Sequence, residues 1–599
     1  MQSIEKNLPS GVKVVINVDR RLPIACVAHL FGVGYVHEPD HLVGISHFLE
    51  HLCFKRSSVK NLGQLINDFR SIGAVLEAGT AYDHTYFSCL VPSQNLSSAL
   101  RMQSEMVRAL DFSSDEIESE KEVVMHELDQ KLDQPSRYLW EKLLALSFEV
   151  HPIKRWRMGQ KSQILSITAE DVVAFHRQHY QPENLVISVV GNVNPEQVIE
   201  EISLMYPGDR NDRKENTKLL DPFQESPQTQ ARLARYEGKL SHALIQLGFK
   251  APSFSHKDQV AMECLHVLLG KEKQSRLYES LVRKELAFTV DTSYFSSRDV
   301  GFVAIKADVT PSKMSILEEV IFLELDRLCR HSPSLTELNS AKKMILSSWA
   351  NEKEDLHNTT YKLAYMKLME QVSKPKKDYD QLERLQVQDI SRVAQEYLTF
   401  SQANIVEYVP DESGPGAFPQ WRIESLAKRI ENQKTKDSSI VEESTNQSEV
   451  GSANEGFEEI FLATRNEKES TIFWEDLHIH QLSFGAQLIH LPKTHTATGF
   501  ISLGFPGGRL HENQKNAGIT NFMLQCCAAA QKEKQNTGIP KSSIHQNLDV
   551  EASADFFYAS TETFHCEFES SLEQLIETLK CRDFSPHVIE NQKLRNRLT

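Results

Sequence analysis

Residues 44–55 read GISHFLEHLCFK, and the fragment HFLEH within them, His47 to His51, decides how the chain is understood. Ile45, Phe48, Leu49 and Leu52 recur at helical spacing, so the segment predicts a helix over 43–54. On such a helix His47 and His51 project from one face, about one turn apart. Two neutral imidazoles at that spacing suit Zn²⁺. Glu50 falls on the flank of the same face, where a carboxylate can reach water beside the ion without displacing a ligand. The competing reading is a helix whose polar residues face solvent, and the string alone leaves both open.

A second copy of the surroundings acts as a control. LPSGVKVVI (8–16) returns as LSFGAQLIH (482–490), and FGVGYVHEPDHLVGISHF (31–48) returns as FPGGRLHENQKNAGITNF (505–522). Gly11 and Gly485, Gly44 and Gly518, and Glu77 and Glu551 are each 474 residues apart. A constant offset marks an internal repeat; the alternative is two unrelated domains with similar opening strands. HFLEH becomes NFMLQ in the second copy: Asn521, Leu524 and Gln525 stand for His47, Glu50 and His51, while Phe48 is kept as Phe522. A helix of this kind therefore does not require the histidines and the glutamate to pack, which moves HFLEH towards chemistry.

A catalytic zinc takes three protein ligands and keeps a position open. DEIESEKEVVMHELDQ (115–130) predicts a helix on which Glu120, Val124 and Glu127 share a face, beside Val123. Glu127 can be the third ligand, with Glu120 supporting a ligand from behind. Solvated helix carboxylates are the other reading of both. His126 points about 100° away from its neighbour Glu127 and is read as structural.

The bulk properties frame these groups. At 599 residues the chain is long enough for about three to five domains. It is 40% hydrophobic and 25% charged, the composition of a globular protein. A net charge of −16 argues against a nucleic-acid partner. The 9 cysteines follow no disulfide or CxxC zinc pattern and are expected to be mostly reduced and buried. MQSIEKNLPSGVKVVINVDRR has no signal-peptide core, and no apolar run is long enough to span a membrane, so a cytoplasmic location is the default expectation.

Strands and helices alternate, which indicates an α+β or α/β class. The opening reads as a strand pair, LPSGVKVVINVD and IACVAHLFGVG, and AVLEAGTAYDHTYFSCLV (74–91) is strand-like. Helical stretches follow at 62–72, 94–110 and 114–132, and LVISVVGNV (185–193) reads as a buried strand. A polar stretch at 208–228 marks a boundary, and a second α/β region runs from Ala231 to about Val409. From Pro410 the chain passes into a Ser-, Glu-, Asn- and Lys-rich linker.

With these residues in view, the sequence resembles the inverted-motif (HxxEH) zinc proteases of the pitrilysin, insulinase and mitochondrial processing peptidase family, M16. The family's third ligand is a glutamate downstream, at the distance of Glu127 from His51, and Glu120 matches its second acidic position. GYVHEPDHLVGISHFLEHLCFK, YQPENLVISVVGNV and QSRLYESLVRKELAFTVDTSY (274–294) also resemble family segments, and the resemblance covers the whole chain. It implies a zinc metalloendopeptidase, with Glu50 as general base and His47, His51 and Glu127 on Zn²⁺. It further implies tandem homologous α/β sandwich domains, a clamshell of two halves. The expected divisions are a catalytic zinc-binding domain at 1–215, a second domain at 216–425, a linker at 426–465, and a degenerate third domain at 466–599. The second half is expected to be incomplete: the chain stops at Thr599, and a fourth domain would supply an arginine and a tyrosine that assist the substrate carbonyl.

The family adds the backbone of an unfolded peptide to an edge strand, here matched by Ala78, Gly79 and Thr80; an ordinary hairpin strand is the alternative. Two local departures stand out: Glu77 replaces a usual asparagine, and Lys55-Arg56 replaces a usual lysine-glycine. The implied partner is a peptide substrate, with a homo-oligomer or a partner subunit as further options. A non-catalytic scaffold or partner subunit of the same fold is the rival to the enzyme, since the family contains such members; a structural zinc module is a third reading.

Overall fold

The computed structural model describes residues 3–55, 64–108, 114–208, 223, 225–411 and 423–431, then 478–482, 487–491, 498–513, 516–535, 548–553, 555–564, 567–581, 583–586, 588–590 and 592–593. The first strands are β1 (Ile4–Asn7), β2 (Lys13–Val18), β3 (Ile24–Phe31), β4 (Val75–Thr80), β5 (Thr85–Pro92) and β6 (Leu185–Gly191). They form one sheet in the order β1-β2-β6-β3-β5-β4. The expected opening strand pair is corrected here: β2 and β3 do not pair with each other, because β6 runs between them, parallel to β2 and antiparallel to β3. All residues of β6 are buried. A strand apolar on both faces needs cover on both, and a central place in the sheet supplies it. β4, by contrast, has no fully buried residue and takes an edge.

The helices α1 (Ile45–Lys55), α2 (Gln64–Ser71), α3 (Leu96–Arg108) and α4 (Ser114–Leu132) fall where the apolar periodicity places them, and α5 (Pro135–Ser147), not read from the sequence, follows. On α1, Ile45, Phe48, Leu49 and Leu52 are fully buried and pack with Val27, Phe87 and Val189 of the sheet.

Five further strands, β7 (Arg232–Gly238), β8 (Ala243–Ala251), β9 (Thr289–Ser296), β10 (Gly301–Val309) and β11 (Asn404–Pro410), form a sheet ordered β7-β11-β8-β10-β9. β7 and β11 are parallel and every other pairing is antiparallel, which repeats the order β2-β6-β3-β5-β4. The two sheets exchange cover. Leu139, Leu143 and Leu144 of α5 pack on Phe302, Ala304 and Val406 of the second sheet. Leu363, Ala364 and Tyr365 of the helix Leu356–Leu368 pack on Val15, Leu30, Val186 and Val190 of the first. Both sheets accordingly fall in one compact unit.

A second unit holds β12 (His478–Gln481), β13 (Gln487–His490), β14 (Thr498–Pro506), β15 (Asp549–Ala552), β16 (Phe556–Phe564) and the helix Ile519–Gln535. The repeat is visible in its pairings. His478 faces His490 as Ile4 faces Ile16, and the order β14-β16-β15 mirrors β3-β5-β4. One match is corrected. Asp549, not Glu551, takes the place of Glu77, since it faces Ser560 as Glu77 faces Ser88. Ala552 likewise opens its turn as Thr80 does: Ser553 N donates to Phe556 O, and Ala81 N to His84 O. The second copy is therefore two residues shorter between the helix and the hairpin, and the offset falls from 474 to 472. The shared Glu-Ala dipeptide had hidden this shift.

The predicted division at 215/216 lies outside the described residues, as does the linker 426–465 apart from 426–431, which are helical. Of the eight described cysteines, seven are buried and Cys329 is partly exposed. Among the described residues no helix is long and apolar enough to cross a membrane.

The turn into α1 is the best-preserved device of the repeat. Gly44 adopts φ +99, and a Cβ there would lie 2.4 Å from the Met158 carbonyl oxygen. The buried Glu38 carboxylate accepts the N–H groups of Gly44 and Ser46, both at 2.8 Å. Glu512 accepts those of Gly518 at 2.6 Å and Thr520 at 2.8 Å. Glu38→Ala should therefore cost roughly 2–4 kcal/mol, by leaving two buried donors unmet at a helix start. Denaturant unfolding checks this, and a loss under about 0.5 kcal/mol would show that water takes over the cap.

Candidate metal centre

α1 and α4 lie side by side, and their facing turns bring the predicted groups together. The donor atoms of His47, His51 and Glu127 all lie within 4.8 Å of one another. Glu127 Oε2 stands 3.6 Å from His47 Nε2 and 3.4 Å from His51 Nε2, and the two rings are 4.6 Å apart. Both imidazoles therefore turn their Nε2 atoms to one carboxylate oxygen, as ligands of a common ion would.

The supporting contacts are specific. His51 Nδ1 meets Glu120 Oε1 at 2.8 Å, and Lys55 pairs with the other oxygen of Glu120. Lys131 Nζ holds Glu127 Oε1 at 2.8 Å, leaving Oε2 for the cluster. Thr80 Oγ1 donates to Glu50 Oε2 at 2.6 Å. Glu50 is only 9% exposed and Glu120 only 2%. The expectation of two inward carboxylates thus holds fully for Glu120 and partly for Glu127, whose side chain is about one third exposed, at 32%. The apolar neighbour is Val124, at 0% exposure; Val123, at 47%, points to solvent. His126 is exposed and lies outside the cluster, turned away from Glu127 as expected.

Electrostatics separates the two histidines. Burial, then the charge of His51, lowers His47 to about 3, so its imidazole is neutral at any ordinary pH. Burial also lowers His51, but its hydrogen bonds to Glu120 and Glu127 outweigh that and raise it to about 9. The hydrogen bond from His51 is the main cause that holds Glu127 well below the usual carboxylate range. Burial raises Glu50, against the hydrogen bond from Thr80. Glu120 is lowered, because hydrogen bonds from His51 and Lys55 override its burial.

Two imidazoles and a carboxylate form the donor set of a catalytic zinc site with one position to spare. The Glu120 contact also supplies the outer partner that metal-bound histidines usually have. His47 differs, since its Nδ1 is buried without a hydrogen-bond partner among the described residues. On this chemistry the residues fit zinc.

Ala78, Gly79 and Thr80 lie on β4, at the sheet edge beside α1. A Cβ at Gly79 would meet the Tyr86 ring at 2.8 Å. Glu77 is exposed on the same strand, with Oε2 3.7 Å from His357 Nδ1. From sequence, Lys55 is noted only as part of the Lys55-Arg56 departure and Lys131 is missed, although each stands four residues after a candidate ligand: Lys55 after His51 and Lys131 after Glu127. The Thr80–Glu50 bond had no sequence signal, since the residues lie on different elements.

Comparison with known proteins places these features in context. Residues 13–161 match the family described as Insulinase (Peptidase family M16), and residues 166–345 match Peptidase M16 inactive domain. The zinc protease PqqE of Helicobacter pylori is 28% identical over 409 residues, 67% of this chain and 92% of its own length. The uncharacterized zinc protease YmxG of Bacillus subtilis is 25% identical over 340 residues, 57% of this chain and 81% of its own. The crystal structure of a protease from Helicobacter pylori aligns with TM-score 0.65 and 27% identity, covering 68% of this chain and 99% of that one. The first half of the periplasmic protease PqqL from Escherichia coli shares the fold at TM-score 0.60 and 20% identity, covering 75% of this chain and 98% of that one.

Proposed function

Since the chain belongs to the insulinase-type M16 peptidase family, we propose that it is a zinc-dependent endopeptidase or oligopeptidase that hydrolyses unfolded peptides. The observation that carries this reading is the convergence of His47, His51 and Glu127 within 4.8 Å, beside a buried Glu50. All four residues fall in the segment that matches the family's Insulinase description, not in the one described as inactive.

In this reading His47, His51 and Glu127 hold the ion. Zinc, when bound, supplies a Lewis acid that polarises a peptide carbonyl and acidifies water. Glu50 takes a proton from the attacking water and returns it to the leaving amine. Burial raises the Glu50 carboxyl, which makes it a better proton acceptor once ionised. Glu120 keeps His51 oriented, and Lys131 fixes the Glu127 oxygen that does not face the histidines. The peptide backbone pairs with β4 at the edge of the sheet, using main-chain hydrogen bonds that accept many sequences.

A quenched-peptide assay with metal analysis tests the proposal. The purified chain should retain stoichiometric zinc, cleave a flexible peptide, lose that activity to a chelator and regain it with added zinc. Zinc without cleavage would favour the rival reading, a non-catalytic scaffold or partner subunit.

A further inference from the structure

We propose that Thr80 is a positioning residue for Glu50, so that the strand that receives the substrate also orients the base; this rests on the function proposed above. Thr80 closes β4, facing Thr85, at the sheet edge beside α1. Leu76 and Ala78 precede it on the same face and pack into the core that contains Phe48 and Leu49 of α1. Alternation therefore turns the Thr80 side chain to α1, where its hydroxyl donates to Glu50 Oε2 at 2.6 Å. A hydroxyl donating to one carboxylate oxygen fixes the plane of the group and leaves the other oxygen to accept a proton.

The frame behind Thr80 is rigid. Ala81 N donates to His84 O at 2.8 Å and closes the turn. The same turn accepts two N–H groups from the segment leading to α1: Tyr35 to Ala81 O at 3.2 Å, and Val36 to Tyr82 O at 2.9 Å. The facing residue Thr85 commits its own hydroxyl to Val33 O at 2.8 Å. The end of β4 is thus tied by backbone bonds to the chain that enters the helix bearing Glu50. A base held by such a frame needs no reorientation when the substrate arrives. The main chain of β4 meets the peptide while its last side chain aims the carboxylate. The Ala78–Gly79–Thr80 segment therefore divides its work between backbone and side chain.

Thr80→Val keeps the β-branched shape that a strand favours and removes only the donor. It should lower kcat by about tenfold to a hundredfold, the range of a hydrogen bond to a charged group, with KM held within about twofold. Thr80→Ser restores the hydroxyl and should recover kcat to within about threefold. Zinc content should be unchanged in both variants. Fluorescence anisotropy of a labelled extended peptide on the zinc-free Thr80→Val protein should match that of the zinc-free parent. A Thr80→Val enzyme with parental kcat, or one impaired only in KM or peptide binding, overturns the inference, as does a Thr80→Ser enzyme no better than the valine variant. Glu50→Gln, run alongside, separates the two levels. If it is inactive while Thr80→Val is fully active, only the role of Thr80 falls; if it remains active, the assignment of Glu50 as base falls with it.

Discussion

Glu50→Gln is expected to lower peptide turnover by about a hundredfold to ten-thousandfold, the usual worth of a positioned acid–base group. The amide keeps the size of the side chain and can still accept the Thr80 hydrogen bond, so α1 and β4 should pack as before. It cannot take a proton from water at neutral pH. Glu50 lies outside the cluster of three donor groups, so zinc should stay bound at the parental level. Turnover with a quenched peptide and metal content on the same preparation check both halves. Normal turnover in this variant would refute the role of Glu50; loss of zinc along with activity would place Glu50 among the ligands instead.

Zinc affinity should weaken steeply with acidity, by about tenfold for each pH unit below about 9 and so by about a thousandfold between pH 9 and pH 6. The metal-free His51 is raised to about 9 and must lose its proton before its Nε2 can bind an ion. His47, lowered to about 3, and Glu127, held below the usual carboxylate range, add no competition in that window. Calorimetry in buffers of different ionisation heat should therefore register close to one proton released per zinc at pH 7. The same shift sets the stability of the metal-free protein. A histidine raised on folding stabilises the fold fully below about pH 6.5, its unfolded value, and this contribution is lost as pH rises through about 9. Thermal unfolding after chelation should show that decline. Zinc binding without proton release between pH 6 and pH 8 would mean that His51 is already neutral, its ion pairs with Glu120 and Glu127 being too weak to hold the proton.

Much of this site is legible in the sequence alone, because its chemistry sits on local periodicities. His47 and His51 are one helical turn apart, Glu120 and Glu127 share a face of one long helix, and NFMLQ shows the same helix without the ionisable groups. Local spacing also located the helices, since apolar residues at intervals of three and four allow few other ways to bury them. What was misread or missed shares one cause. The pairing of β2 with β6, the exchange of α5 for the helix Leu356–Leu368, and the two-residue slip of the second hairpin all depend on contacts between distant parts of the chain. Neighbours in sequence need not be neighbours in a sheet, and a shared Glu-Ala dipeptide cannot report a register.

By itself the sequence determined which residues are candidate donors, the helices that bear them and the presence of a second, altered copy, because residue type and helical spacing suffice for each. Tertiary structure alone decided that Glu127 reaches both histidines, that His51 is charged and His47 neutral without metal, and that Thr80 holds Glu50. Each of these turns on a distance across elements and on burial, and those quantities exist only once α1, α4 and the edge of the sheet have packed together.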